Sequence, residues 1–141
     1  MIRTRLIHPQ LLSVLAQTGH GNQILVANAH YPAATNVPPS ASRVYLNLAP
    51  GIISFQQVVQ VLRDVIEIES ATGILTADKQ IPPVAREIRA LLPETTELHW
   101  LPRFEFYEMV KNPLTMAVVV TGEQRMYTNL LLTIGVIKAG E

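Results

Sequence analysis

The 141-residue chain is 48% hydrophobic and only 16% charged, with eleven basic and eleven acidic side chains, a formal net charge of zero and no cysteine. Balanced charge without long runs gives no electrostatic grip for nucleic acid, and the missing thiols exclude disulfides, thiolate metal sites and cysteine nucleophiles. The length suits one domain, and a charged share well below the ordinary ~25% predicts extensive contacts between subunits.

The opening Met1-Ile-Arg-Thr-Arg-Leu-Ile-His-Pro9 places charges within an apolar stretch and has no small-residue cleavage site, so no secretory leader is expected. No apolar run approaches the ~18 residues of a membrane span, and a cysteine-free chain fits the cytoplasm.

Pro9 predicts a helix start, and Leu11, Leu12, Val14 and Leu15 continue it at helical spacing over about 9–18, with Gly19 as C-terminal cap. Gln23-Ile-Leu-Val-Ala reads as a buried strand with polar groups at both ends: His20 between two glycines, and Asn28-Ala-His30-Tyr-Pro32. Residues 31–42 contain three prolines and read as an irregular loop. Val44–Leu48 is a short strand before the Pro50-Gly51 turn, and Ser54 caps a helix with Phe55, Val58, Val59, Val61 and Leu62 on its apolar side.

Val65-Ile-Glu-Ile-Glu alternates and predicts a third strand with Glu67 and Glu69 on one face, Gly73-Ile-Leu being a separate edge piece. Pro83 opens a helix running to Pro93, followed by a strand at Glu97–Leu101 and a helix from Arg103 to Val110. Leu114–Thr121, β-branched and apolar on both faces, predicts a central strand, and Leu130–Val136 a final one after a polar turn at 123–129. This alternation implies an α/β sheet covered by helices.

No Gly-x-Gly-x-x-Gly, Walker lysine loop or Gly-x-Ser-x-Gly elbow is present, so nucleotide phosphates and a serine hydrolase triad lack their usual cradles. His20 and His30 fall short of the three protein ligands of a catalytic zinc, and no metal is expected. Glu67 and Glu69, about 7 Å apart on one strand face, read as a solvated face rather than a glycosidase pair. His20, open on its glycine turn, is the candidate reactive group.

Gly19-His-Gly21 with Asn28-Ala-His-Tyr-Pro-Ala33 resembles the D-ribose pyranase/L-fucose mutarotase family, more closely its fucose branch. Further support comes from Pro9-x-Leu-Leu-x-Val-Leu-Ala16, Arg103-Phe-x-Phe-Tyr-Glu108, Thr121-Gly-Glu123 and Tyr127-x-Asn129-x-Leu-Leu-x-x-Gly-Val136, which carry the likeness almost end to end. The resemblance implies a single-domain three-layer αβα sandwich around a mixed sheet, the RbsD-like fold. It also implies a cofactor-free monosaccharide isomerase, assembled as a homodecamer of two pentameric rings, with sugar bound near subunit contacts.

By the same resemblance His20 is the acid/base group, and Asn28, Arg103, Tyr127 and Asn129 bind the sugar, with His30 a further pocket candidate. A histidine of ordinary pKa ~6.5 both gives and takes protons near neutrality. The family commonly has aspartate where this chain has Asn28, which binds a hydroxyl but holds no charge. The span from Arg103 to Tyr127 also looks about two residues longer than in fucose-type relatives, around Asn112-Pro113, where a loop accommodates it cheaply. The alternatives are a non-catalytic sugar-binding or regulatory oligomer and a D-ribose pyranase.

Overall fold

The computed structural model describes residues 1–141. In chain order the elements are α1 (Pro9–Gln17), β1 (Gln23–Ala27), β2 (Ser42–Tyr45), α2 (Phe55–Arg63), β3 (Ile68–Ile74), α3 (Ala85–Leu91), β4 (Glu97–Leu101), α4 (Arg103–Val110), β5 (Thr115–Val120) and β6 (Leu130–Ile134). The strands form one mixed sheet in the order β2-β5-β1-β6-β3-β4. Of the five neighbouring pairs three are parallel, and β6 runs antiparallel to both β1 and β3, dividing a parallel β2-β5-β1 set from a parallel β3-β4 pair.

Period-two alternation in the central strands builds two cores, one on each side of the sheet. Ile24, Val26, Ala117, Val119, Leu130 and Leu132 point to the side covered by α1, α2 and α3. Leu25, Ala27, Val118, Val120 and Leu131 point to the other, covered by α4 and the 31–41 segment. The result is a three-layer α/β sandwich. Strands buried on both faces explain why Leu114–Thr121 reads as a continuous apolar run.

The helices are set by local chemistry. Ser54 Oγ accepts from Gln57 N–H while Gln57 Oε1 accepts from Ser54 N–H, a reciprocal capping box at the start of α2. Phe55, Val58, Val59 and Leu62 then recur at helical spacing and are all buried. At α1, His8 Nδ1 accepts from the Leu11 N–H at 3.2 Å, so an imidazole serves as the N-cap. No helix is long and apolar enough to cross a membrane.

Four expectations need correction. The third strand spans Ile68–Ile74 rather than Val65–Glu69, because the Val65 and Ile66 N–H groups both donate back to Leu62 C=O and extend the end of α2. Gly73-Ile74 is therefore the end of that strand, flanked by β6 and β4, and not an edge piece. A Cβ on Gly73 would fall 2.3 Å from the Trp100 ring, which lies across the strand, so the glycine is there to admit the indole. Finally, α1 ends with Thr18 in extended conformation, its hydroxyl donating to Leu15 C=O, and the left-handed residue is Gly21 rather than Gly19. Strand β2 also starts and stops earlier than expected, and Asn112-Pro113 lies in the loop between α4 and β5.

Candidate functional site

A cavity of about 750 Å³ opens where β1, β3 and β4 end and β6 begins. In open α/β sheets the carboxyl ends of parallel strands are where ligands bind, since loops diverge there around a rigid edge. Asn28 follows β1, Ile74 to Lys79 continue β3, Pro102 and Arg103 link β4 to α4, and Asn129 precedes β6; all but Asp78 line the cavity.

Buried hydrogen bonds hold these groups in place. Asn28, 3% exposed, donates its backbone N–H to Asn129 Oδ1 (2.8 Å) and its side-chain amide to Arg125 C=O (3.1 Å). Its Oδ1 accepts from the His30 N–H. His30 Nε2 lies 3.0 Å from Gln124 C=O, and because a carbonyl only accepts, the proton sits on Nε2. Thr121 Oγ1 donates to Ala27 C=O, and Ala29 N–H donates to Glu123 C=O. The 121–129 loop is thus laced to the end of β1.

Arg125 anchors the same loop to α3, reaching Glu87 at 2.6 Å and Glu123 at 2.8 Å. Hydrogen bonding from Arg125 holds the Glu123 carboxyl below the ordinary carboxylate range, and the two carboxylates push the guanidinium above its ordinary value. Gly122 permits the loop's close packing: a Cβ there would meet Ile52 N at 2.5 Å and Ala49 O at 2.6 Å. Tyr127 takes the left-handed conformation, φ 63°, and its hydroxyl accepts from Ala77 N–H, tying the loop after β3 to the loop before β6. Asn129 spends its Oδ1 on Asn28, while its amide nitrogen has no protein partner and stays accessible.

Aromatic rings form the opposite wall. The Arg103 guanidinium lies 5.3 Å from the Phe104 ring centre and 5.2 Å from that of Tyr107, within cation–π range of both. Tyr107 packs edge-on against Tyr31 at 5.2 Å. Tyr31 is hydrogen-bonded to Asn36 on both sides, and burial pushes its phenol far above the ordinary value, which keeps it protonated and out of acid/base work. Phe104 and Met126, 72% and 67% exposed, stand on the rim.

The structure gathers Asn28, His30, Arg103, Tyr127 and Asn129 into this cavity, and leaves His20 out. His20 sits beyond the other end of β1, where Gly21 N–H donates to Ile134 C=O and Gly19 N–H donates to Asn22 Oδ1. The five residues of β1 alone separate the two ends by roughly 17 Å at ~3.3 Å per residue. There His20 Nε2 meets Glu69 Oε2 at 2.7 Å, with both side chains about half exposed. Glu67, before β3, accepts from Gly135 N–H through its carbonyl. Sequence reasoning missed Tyr107, Tyr31 and Lys79 as lining residues; the first carries a signal, standing one turn after Arg103 on α4.

The pattern described as the RbsD / FucU transport protein family matches residues 1–137. The chain belongs to this family. A D-ribose pyranase of Pseudomonas putida is 30% identical over 136 residues, covering 96% of this chain and 98% of its own. Bacillus subtilis RbsD, solved as a complex with D-ribose, superposes with a TM-score of 0.85 at 28% identity over 98% of this chain and all of its own. The Streptococcus pneumoniae fucose mutarotase, solved with L-fucose, shares the fold at a TM-score of 0.80 and 23% identity, covering 98% and 100% of the two chains. The relatives are thus sugar pyranases and mutarotases, named for more than one sugar.

Proposed function

We propose that this protein is a monosaccharide mutarotase, interconverting sugar anomers by ring opening and reclosure. The observation that carries the reading is the convergence of Asn28, Arg103, Tyr127 and Asn129 on one cavity at the carboxyl edge of the sheet. Forked guanidinium donors, an accessible amide and a tyrosine suit the directional recognition of neighbouring hydroxyls. Ring faces of Phe104 and Tyr107 suit the apolar face of a sugar.

Opening a cyclic hemiacetal moves only protons and one electron pair. The anomeric hydroxyl gives up its proton as the bond from C1 to the ring oxygen breaks, and the ring oxygen takes a proton up. Reclosure on the other face of the free aldehyde reverses both transfers. His20 is the group proposed to carry a proton, and Glu69 holds its ring in place. Since His20 lies at the far end of β1 from the cavity, we propose that it enters the cavity of a second copy. The charge-poor composition and the exposed Phe104 and Met126 at the rim support such an assembly, for which a homodecamer of two pentameric rings in the cytoplasm is the proposed form.

L-fucose is the first sugar proposed, because Gly19-His-Gly21 and Asn28–Ala33 resemble the fucose branch more closely; D-ribose is the second, favoured by the names of the relatives. A non-catalytic sugar-binding role is the competing reading, and Asn28 favours it, since an amide cannot take a proton from a hydroxyl. Magnetisation exchange by NMR on equilibrated L-fucose and D-ribose, at a pH where spontaneous mutarotation is slow, separates these. Faster anomer exchange, lost in His20→Ala while binding persists, is the expected result. Binding without any acceleration by the folded, assembled protein overturns the enzyme reading.

A further inference from the structure

Between Arg5 and Arg63 the chain has a single side chain of fixed charge, Arg43. That stretch includes α1 and α2, whose exposed polar positions are Gln10, Ser13, Gln17, Gln56, Gln57 and Gln60, whereas α3 carries Arg86 and Glu87, and α4 Glu105 and Glu108. The charges at the border are turned back or neutralised. Arg43 Nε donates to Ala33 C=O at 2.9 Å, Arg63 Nη1 donates to Leu91 C=O at 2.9 Å, and Arg5 pairs with Asp64.

Apolar side chains stand out of this uncharged face. Residues 5–8 and α2 border a groove of about 430 Å³, whose lining includes Leu6, Ile7, Leu46, Ile53, Gln57 and Gln60. Beside it the 46–53 loop projects Leu48, 82% exposed, together with Ile52 and Ile53. The loop is held firmly: Ile53 N–H donates to Leu46 C=O, Gly51 N–H donates to Gly122 C=O at 2.7 Å, and Gly122 N–H donates to Ile53 C=O at 2.7 Å. A fixed apolar projection beside a fixed apolar groove loses little conformational freedom on being covered. Strand β2, which leads into the loop, is the outermost strand on its side of the sheet, and with Arg43 folded back it has no outward charge to guard its edge.

We infer that this face joins two copies of the chain about a two-fold axis, the Leu48 loop of each seated on the groove of the other. The inference deepens the assembly proposed above and rests on it for the ring: His20 entering a neighbour's cavity is a head-to-tail contact that closes a ring, and a two-fold contact is what stacks one ring on another. Across a two-fold axis a patch meets itself, so any charge near the axis faces its own like. A face without charges escapes that repulsion, and it offers a strongly charged partner nothing to pair with. Depletion of charge is also what marks the centre of a protein interface.

Sedimentation velocity of the full chain at low salt tests this through mass. Leu48→Asp with Gln60→Glu puts like charges on both sides of the axis, at exposed positions away from the cavity. The parent is expected as a double ring and this variant as a single ring of half the mass, with an unchanged circular dichroism spectrum. Leu48→Lys with Gln60→Lys is expected to halve the mass as well, and mixing the acidic and basic variants to restore it, since opposite charges then face each other. An undivided mass in both variants overturns the inference and leaves the ring standing, as does a parent that is itself a single ring. Dissociation of the variants to single chains also overturns it, by making this face part of the ring contact. A parent that is a plain dimer split by both variants supports the two-fold contact and removes the ring, and a parent that is a single chain removes both.

Discussion

The two ends of β1 differ in how they are held. At the carboxyl end, Asn28, Thr121 and Asn129 are buried and linked by hydrogen bonds that run through the 121–129 loop to Arg125, Glu123 and Glu87. At the amino end, His20 stands on a glycine-flanked turn and meets one exposed carboxylate. The polar groups of the cavity are therefore preorganised within the chain, while His20, the proposed proton carrier, is displayed outward. A rigid receptor at one end and a presented group at the other is the arrangement expected when neighbouring copies complete each other's sites, since heterologous contacts close into rings.

The sharpest way to break this comparison is to separate the ends genetically. His20→Ala is expected to slow anomer exchange by roughly 10²–10⁴ while sugar still binds, whereas Arg103→Ala is expected to weaken binding itself. Each variant alone is then nearly inactive. Co-expressed in equal amounts, they are expected to recover activity in about a quarter of sites, those pairing an intact cavity with an intact His20 from the adjoining copy. Exchange assays on the co-purified assembly check this, and no recovery in a mixed assembly would mean that both residues must come from one chain.

Next in size is Asn28→Asp. Aspartate keeps the acceptor for His30 N–H but loses the donor to Arg125 C=O, and it places a carboxylate 3.1 Å from that carbonyl. Leaving a buried polar group facing an unmatched one costs about 1–3 kcal/mol, so a lower denaturation midpoint is expected. The same change puts a negative charge on the cavity wall. If Asn28→Asp is more stable than the parent, the amide is not the latch described here.

How much of this was legible in the sequence follows from which forces act locally. The capped α2 and the doubly buried β5 declared themselves through patterns of two and 3.6 residues. Strand β3 did not, because Val65-Ile-Glu-Ile-Glu alternates perfectly well while its first two N–H groups are claimed by Leu62. Of the site, Asn28, Arg103, Tyr127 and Asn129 entered through family resemblance, since single polar residues at strand ends have no periodicity to mark them. Lys79 lay in a stretch without pattern and takes a left-handed conformation no motif announced. His20 and Asn28 look adjacent at eight residues' spacing, yet the strand between them carries them to opposite edges of the sheet.

Acid is expected to loosen the receptor end first. The Glu123 carboxyl titrates below its ordinary value because Arg125 bonds it, so its contribution is complete above the unfolded-state pKa and is lost as pH falls through the lowered folded-state value. Below the usual carboxylate range the 121–129 loop loses this tether, and sugar affinity should fall together with amide protection of Asn28 and Ala29, whose N–H groups donate to Asn129 Oδ1 and Glu123 C=O in that loop. Hydrogen exchange at descending pH reads both. Uniform loss of protection across the sheet, with no early change in this loop, would show that Arg125 does not hold it separately.

The smallest expected effect lies at the displayed end. His20 and Glu69 are both about half exposed, and exposed pairs contribute only about 0.2–1 kcal/mol, so Glu69→Gln and Glu69→Ala should leave the melting temperature almost unchanged. Their effect on turnover should be larger than on stability, because an imidazole that must enter a neighbouring cavity is useful only in a narrow range of orientations. Glutamine retains an acceptor oxygen for His20 and is expected to lower kcat a fewfold. Alanine frees the ring and is expected to lower it further, with KM unchanged for both, since neither touches the receptor end. Equal rates in all three proteins would show that the His20 ring is oriented by the cavity it enters and not by its own chain.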